Sequence, residues 1–557
     1  MAKKIDRRRF LVSSSLAAGG VLAQACASKS TPLWTPTAPV EPSATPSFPV
    51  VDTRVPGHPD MVLTFLHTND THGHLAPFRI LEFPEPVGGI ARRATAVREI
   101  RRQAEHVFLV DAGDVHQGCL MADAFQGVPD IELMNELGYA AMGLGNHDLD
   151  YGWQTLLQRC DTAFFPILCA NLYYSENDET VLDPYTIVDE GGFKIAFTSF
   201  AGPDWPHIVP VELVSGVRFA DPIETARTLI PQLRTQADLV VVLGHQYLKD
   251  DYALASAVPG IDIIISAHEH AKLTQAVQVG GTLIVEDYQW GAYLGRLDVA
   301  VSGGRMTSYA YGLIPLTLDI PADPNIAAHV GMLDAEMRQM YPERFEIVGQ
   351  AAIDISDRDI RFREAPMGNL VCDVVREQAQ AEISLLPALT VLNSLFAGPL
   401  TVQDISDALP YPNDILRVRL SGEQLQQILD VAASGSGTGN FVQVGGLQLR
   451  IFGGVATDVV VSGQPLDPRR IYTVATTDYH TYRAVDYRDL FSTAASIEQV
   501  GGTVKDALIA YIRVHSPISA HVEGRIVVEG ESRLSPDRVL ARLKRPTIPA
   551  QVAVVQV

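Results

Sequence analysis

Short apolar runs recur through the first half of the chain, and each breaks off into a polar segment rich in glycine, aspartate or histidine. Met61-Val62-Leu63-Thr64-Phe65-Leu66 is the first, and it leads into His67-Thr68-Asn69-Asp70-Thr71-His72-Gly73-His74. A continuous run of this kind reads as a buried strand. The run at 107–110 ends in Asp111-Ala112-Gly113-Asp114, and the one at 139–144 in Gly145-Asn146-His147-Asp148-Leu149-Asp150. Further strands are expected at 194–200, at 238–243 before Gly244-His245, and at 261–266 before Ala267-His268-Glu269-His270. Between them, a helix opens at Val87-Gly88-Gly89-Ile90 and runs through Arg102, and another spans 129–138. Strand and helix in alternation predict a mostly parallel sheet covered by helices, an α/β fold.

The pattern changes after about residue 322. Val330, Leu333, Met337 and Tyr341 repeat at helical spacing and predict a helix over 326–341. It reads either as a linker between two domains or as a helix internal to one of them. A chain of 557 residues is long enough for two or more cores, so the whole reads as α+β overall.

The first residues carry a different signal. Arg7-Arg8-Arg9-Phe10-Leu11 precedes a run of small apolar residues to Ala25, the layout of an export signal over 1–27. The Arg-Arg-x-Phe-Leu order resembles a twin-arginine signal. Leu22-Ala23-Gln24-Ala25-Cys26 resembles a lipoprotein cleavage box with Cys26 as the lipidated residue, although Ala23 stands where such boxes usually carry Leu. Ordinary signal cleavage nearby is the alternative. The Pro-, Ser- and Thr-rich segment 28–59 cannot bury a core and reads as an extended tether, which would hold the protein off a membrane surface. Cys160 and Cys169 are the nearest candidate disulfide pair, with buried free thiols as the other reading.

The formal net charge of −22 excludes nucleic acid as the main partner, since phosphate backbones call for basic patches. It leaves room for a small anionic substrate wherever bound cations dominate the local field. The strand ends supply candidate ligands for such cations. Any one Asp-x-His pair or lone histidine could be a polar loop. Recurrence at five strand ends makes a site of Asp70, His72, Asp114, Asn146, His245, His268 and His270. Mixed oxygen and imidazole donors suit two divalent ions such as Mn, Zn or Co, with Asp114 as the bridging carboxylate.

The ordered series Asp-x-His, Gly-Asp, Gly-Asn-His-Asp, Gly-His and His-x-His resembles the metallophosphoesterase superfamily. The longer stretches His67-Thr68-Asn69-Asp70, Asp111-Ala112-Gly113-Asp114 with Gly118, and Asn135-Glu136-Leu137-Gly138-Tyr139 leading into Gly145-Asn146-His147 resemble the 5′-nucleotidase family. That family includes ecto-5′-nucleotidase and the bacterial UDP-sugar hydrolases. The resemblance implies a four-layer α/β sandwich over 60–322, a linker helix at 323–344, a substrate-binding domain at 345–530 and a tail at 531–557. It implies one metal on Asp70, His72, Asp114 and His270, and a second on Asp114, Asn146, His245 and His268. His147 and Asp150 match the family's catalytic dyad, and the implied reaction is hydrolysis of a nucleotide-like phosphate ester by metal-activated water.

In the second half, Arg361-Phe362-Arg363-Glu364 with Met367-Gly368-Asn369, then Phe441-Val442-Gln443-Val444-Gly445-Gly446, resemble the family's substrate domain. The resemblance implies that Arg361 contacts an anionic group and that Phe441 stacks on a base. Taken as bare residues, Phe441 reads as core and Arg361 as a surface charge. Two segments depart from the family. Asn393-Ser394-Leu395-Phe396-Ala397-Gly398 lacks the glycines and arginine of the family's Asn-x-Gly-Gly-x-Arg loop. Tyr479 can still stack, but Asp486 falls one residue out of register with the family aspartate. The same chemistry on a cyclic nucleotide, a UDP-sugar or a thiosulfohydrolase-like sulfur ester is therefore the alternative, with a non-catalytic surface binding protein a further one.

Overall fold

The computed structural model describes Val55 and residues 59–529. The expected export signal with Cys26, nearly all of the tether at 28–59, and the tail at 531–557 lie outside the described residues.

Apart from the short pair Leu172–Tyr174 and Val217–Phe219, the strands of the first half form two mixed sheets rather than one. The first has the order Arg305–Pro315, Tyr293–Ser302, Met61–Thr68, His106–Asp111, Ala141–Gly143 and Ile167–Leu168. Its last four strands are parallel, and the two returning strands pair antiparallel. The second has the order Val277–Val279, Thr282–Val285, Ile263–Ile265, Leu239–His245, Phe193–Ala201 and Tyr185–Glu190. Its four inner strands are parallel and its two edge strands antiparallel.

Local sequence explains why both faces of each sheet are covered. Leu239-Val240-Val241-Val242-Leu243 is apolar at successive positions, so its side chains need apolar neighbours above and below. Leu63, Phe65, Phe108 and Val110 pack against Phe197, Val241, Leu243, Ile263 and Ile265 between the sheets. The rings of Phe65 and Phe197 meet edge-on at 6.2 Å. On the outer faces, helices Ile90–Gln103 and Val128–Leu137 cover the first sheet. Helices Pro222–Arg234 and Leu248–Ala257 cover the second. The layers run helix, sheet, sheet, helix.

Helix Pro324–Met340 begins at Asp323, whose carboxylate accepts the N–H groups of Asn325 and Ile326. Ile326, Val330 and Met337 join the helix-side core of the first sheet, so this helix is packed on the first domain. The second domain has one core, from Val348 to Ile526. It is built on a five-stranded sheet of order Val442–Gly445, Ile383–Pro387, Ile471–Thr477, Asp414–Ser421 and Ser496–Thr503. Cys119, Cys160, Cys169 and Cys372 are all free thiols, so the Cys160–Cys169 pairing is not formed.

Candidate metal centre

Five parallel strands, Met61–Thr68, His106–Asp111, Ala141–Gly143, Leu239–His245 and Ile263–Ile265, deliver their polar loops to one edge at their carboxyl ends, where open α/β sheets bind their ligands. Close approach of those loops depends on glycine at two places. Gly113 has φ +97°, and a Cβ on Gly145 would collide with Asp114. Asp148 then ties the two loops together. Its carboxylate accepts backbone N–H groups from Gly145 at 2.8 Å, Val115 at 2.9 Å, and Asp114 and His116 at 3.1 Å. His116 Nδ1 lies 3.0 Å from the same group, and both side chains are buried.

Two clusters of ligand atoms result, Asp70 with His72 and His270, and Asp114 with His245 and His268. His72 Nε2 is 3.2 Å from His270 Nε2. Asp114 Oδ2 is 3.1 Å from His245 Nε2 and 3.8 Å from His72 Nε2, so this carboxylate faces members of both clusters. The imidazoles are held by their other nitrogens. His72 Nδ1 donates to the Gln117 carbonyl at 2.6 Å, and His245 Nδ1 to the Ala112 carbonyl at 2.8 Å. A carbonyl only accepts, so each Nε2 is left bare toward the centre. Gln289 Oε1 accepts from His270 Nδ1, and Asn69 Nδ2 donates to Asp70 Oδ2 at 2.8 Å.

Three observations show that this donor set fits divalent cations. Asn146 Oδ1 and His245 Nε2 are buried without a hydrogen-bond partner, a costly state for polar atoms unless something binds them. Asp70, His72, Asp114, His268 and His270 all take the left-handed backbone region, with φ from +47° to +77°. Such residues carry local strain, which collects at functional sites. The third is charge. Burial disfavours an ionised Asp70, yet His270 and His245 hold its carboxyl at about 2. Burial likewise opposes a charged His245, but Asp114 and Asp70 lift it to about 10, the response of an anionic pocket that calls for positive charge.

His147 stands beside this centre, its ring 5.5 Å from that of His72. Its Nδ1 donates to Asp150 Oδ2 at 2.8 Å, and both side chains are partly exposed. Its backbone N–H donates to Asp114 Oδ1 at 2.8 Å. Burial disfavours the imidazolium, but the carboxylates of Asp114 and Asp150 outweigh it and raise the ring to about 9. A cation on Asp114 would cancel part of that lift.

The residues singled out in the second domain divide into two groups. Arg361 and Tyr479 are among the groups acting electrostatically on Tyr247, which packs edge-on against His268 at 4.6 Å. Asp486 is exposed, acts on Tyr479 and accepts from Asn440 Nδ2 at 2.8 Å. Phe441 does not join them. It is 1% exposed within the second domain's core, and a ring enclosed by apolar side chains presents no face to a base. Asn393 Oδ1 accepts the N–H of Ser394 and so serves its own turn. The loop that follows buries Leu395 and turns Phe396 outward under Arg79, whose guanidinium lies 4.2 Å from the ring. Arg358 Nη2 donates to the Leu81 carbonyl at 3.3 Å beside it.

Tyr411, in Leu409-Pro410-Tyr411-Pro412, is the aromatic residue that sequence reasoning passed over. It is 36% exposed; partial burial raises its phenol to about 12, with Arg361 opposing and Tyr479, Asp150 and Asp114 adding smaller contributions. Two prolines around a surface tyrosine were the only local signal. Asp148 was equally hidden, because its partners are backbone groups that no side-chain pattern reveals.

Fold and centre together define a metal-dependent phosphoester hydrolase of the calcineurin-like class, and residues 63–272 match the calcineurin-like phosphoesterase family. Residues 347–490 match the 5′-nucleotidase C-terminal domain. Protein UshA of Yersinia enterocolitica is 27% identical over 82% of this chain and 92% of its own length. A 5′-nucleotidase of Vibrio cholerae is 26% identical over 82% and 91%. The crystal structure of a 5′-nucleotidase precursor from Thermus thermophilus superposes with a TM-score of 0.72 at 26% identity, over 84% of this chain and 100% of the other. Sulfate thiohydrolase SoxB of the same organism reaches 0.72 at 20% identity over 86% and 99%, a likeness of fold alone. Both halves of the chain are thus similar to those of the 5′-nucleotidases, a calcineurin-like phosphoesterase domain followed by a 5′-nucleotidase C-terminal domain.

Proposed function

We propose that this protein is an exported hydrolase that cleaves nucleotide phosphate esters, a 5′-nucleotidase, with two divalent cations at its centre. The observation that carries the reading is the pair of ligand clusters that Asp114 faces from between, with the His147–Asp150 pair at their rim. Asp70, His72, Asp114 and His270 would hold one ion, and Asp114, Asn146, His245 and His268 the other. When bound, such ions supply Lewis acidity toward the phosphoryl group and toward water.

The chain's own residues do the rest. Asp150 accepts from Nδ1 of His147 and favours the charged imidazolium, whose Nε2–H can then give a hydrogen bond or a proton to the ester oxygens as charge builds there. Arg361 meets the anionic part of the substrate, and Tyr411 and Tyr479 offer stacking faces to a base, which any base can use. Export through the signal at 1–27, with Cys26 as a lipid anchor, completes the reading. The intact mass of the mature protein tests the anchor.

A second reading keeps the chemistry and changes the ester. The loop at 393–398 presents an apolar ring to Arg79 instead of a cation to the substrate, which favours a cyclic nucleotide, a UDP-sugar or a sulfur ester. Product analysis with added Mn, Zn or Co decides: phosphate from nucleoside monophosphates, nucleoside monophosphate from cyclic nucleotides, UMP and sugar phosphate from UDP-sugars, and the sulfur oxyanion from a thiosulfonate ester. Monophosphates turned over fastest support the first reading. Hydrolysis of the other esters alone supports the second, and no hydrolysis by metal-loaded protein removes both.

A further inference from the structure

The centre contains an acidic side chain without a hydrogen-bond partner, Asp204, that the ligand set above leaves out. Asp204 follows strand Phe193–Ala201, which lies beside Leu239–His245 in the second sheet. His268 follows strand Ile263–Ile265, on the other side of that same central strand. The two loops therefore face one another across His245. Asp204 Oδ2 lies 3.6 Å from His268 Nε2. That is just outside hydrogen-bond range, but neither atom has any other partner. Both carboxylate oxygens of Asp204 and Nε2 of His268 are buried and unpartnered.

The surroundings hold both groups in place. Trp205, the residue after Asp204, is fully buried, with its ring edge-on to His245 at 5.9 Å. Tyr247 packs against the His268 ring, and the His268 backbone N–H donates to Asp70 at 3.0 Å. The imidazole is thus braced on one face and on its backbone side, and among the described residues neither ring nitrogen makes a hydrogen bond. A metal-binding imidazole presents one nitrogen to the cation and gives its other N–H to a carboxylate or carbonyl, which sets the tautomer and raises its basicity. His72 and His245 have carbonyls in that place, and His270 has Gln289. For His268, among the described residues, the group in that place is Asp204.

We propose that Asp204 is a positioning residue for His268: it takes the Nε2 proton and leaves Nδ1 as the nitrogen offered to the second cation. The proposal rests on the metal-centre reading above. Its test is the Asp204→Asn variant of the full chain, which keeps the side chain's shape and removes its charge. Mn binding is followed by titration calorimetry on chelator-stripped protein, with metal content after dialysis as a check. Loss of such a supporting carboxylate weakens a metal site by about 10–100-fold. The expected result is that one of two Mn sites weakens by that factor while the other, and the melting temperature of the stripped protein, stay unchanged. In a His268→Ala background the same change should do nothing further.

Unchanged affinity at both sites overturns the proposal and leaves the metal centre standing. An equal loss in the His268→Ala background also overturns it, since Asp204 would then act without His268. Wild-type protein that binds fewer than two Mn ions overturns the metal-centre reading itself.

Discussion

Asp148 and Asp150 sit two residues apart in one motif, and the geometry gives them opposite duties. Asp150 touches His147 alone among side chains. Asp148 anchors four backbone N–H groups from the loops that carry Asp114 and Asn146, and pairs with His116. Replacing Asp148 by Asn leaves one carboxyl oxygen in place and turns the other into an amide that faces two N–H donors. Hydrogen bonds to a charged group are worth about 1.5–3 kcal/mol each, so two of them represent about 3–6 kcal/mol. That is a large part of the 5–15 kcal/mol that typically separates a folded domain from its unfolded chain. For a domain of this size, melting should fall by on the order of 10 °C. Calorimetry on chelator-treated protein isolates the effect from bound metal. Asp150→Asn, which breaks only one partly exposed contact, should lower stability by less than about 1 kcal/mol. If the two variants melt together, or Asp148→Asn costs under about 1 kcal/mol, Asp148 does not tie the loops together.

Three further outcomes follow from the same geometry. His147→Ala should cut turnover by about 10²–10⁴-fold, the usual share of a positioned acid or base, while metal content by mass spectrometry stays unchanged; equal loss of metal would make His147 a ligand instead. Tyr411→Ala should raise KM for a nucleotide with little change in kcat, in keeping with about 1–3 kcal/mol of stacking per base, and Tyr411→Phe should restore it. The last concerns pH. His480 is buried against Tyr487 and Phe491, and burial lowers its imidazole to about 3 from an ordinary 6.5. The folded chain refuses a proton that the unfolded chain accepts below 6.5, so stability is lost as pH falls from 6.5 toward 3. The loss reaches about 2 kcal/mol by pH 5. Denaturant titrations should show that part of the slope disappear in His480→Gln.

Much of the centre is legible in the order of residues alone. Strand ends announce themselves because an apolar run must stop where the chain leaves the core, and the polar residues that follow have few other places to go. That logic brings Asp70, His72, Asp114, Asn146, His245, His268 and His270 to one edge, and the motif pairs His147 with Asp150. What periodicity could not reveal is how many sheets the runs make. An apolar strand buried on both faces looks the same whether a helix or a second sheet covers it, and only packing distinguishes the two.

Tertiary structure also decided the fate of the aromatic residues. Phe441 and Tyr411 both lie in short segments with no periodicity. Whether such a ring fills a core or lines a cleft depends on what the rest of the chain places above it. The same holds for Asp148 and Asp204, whose roles come from backbone N–H groups and an imidazole far away along the chain. The type and order of the candidate ligands are written in the sequence because the chemistry of a cation would demand them. The supports that hold those ligands are set by contact across the fold, where any carboxylate in the right place will serve.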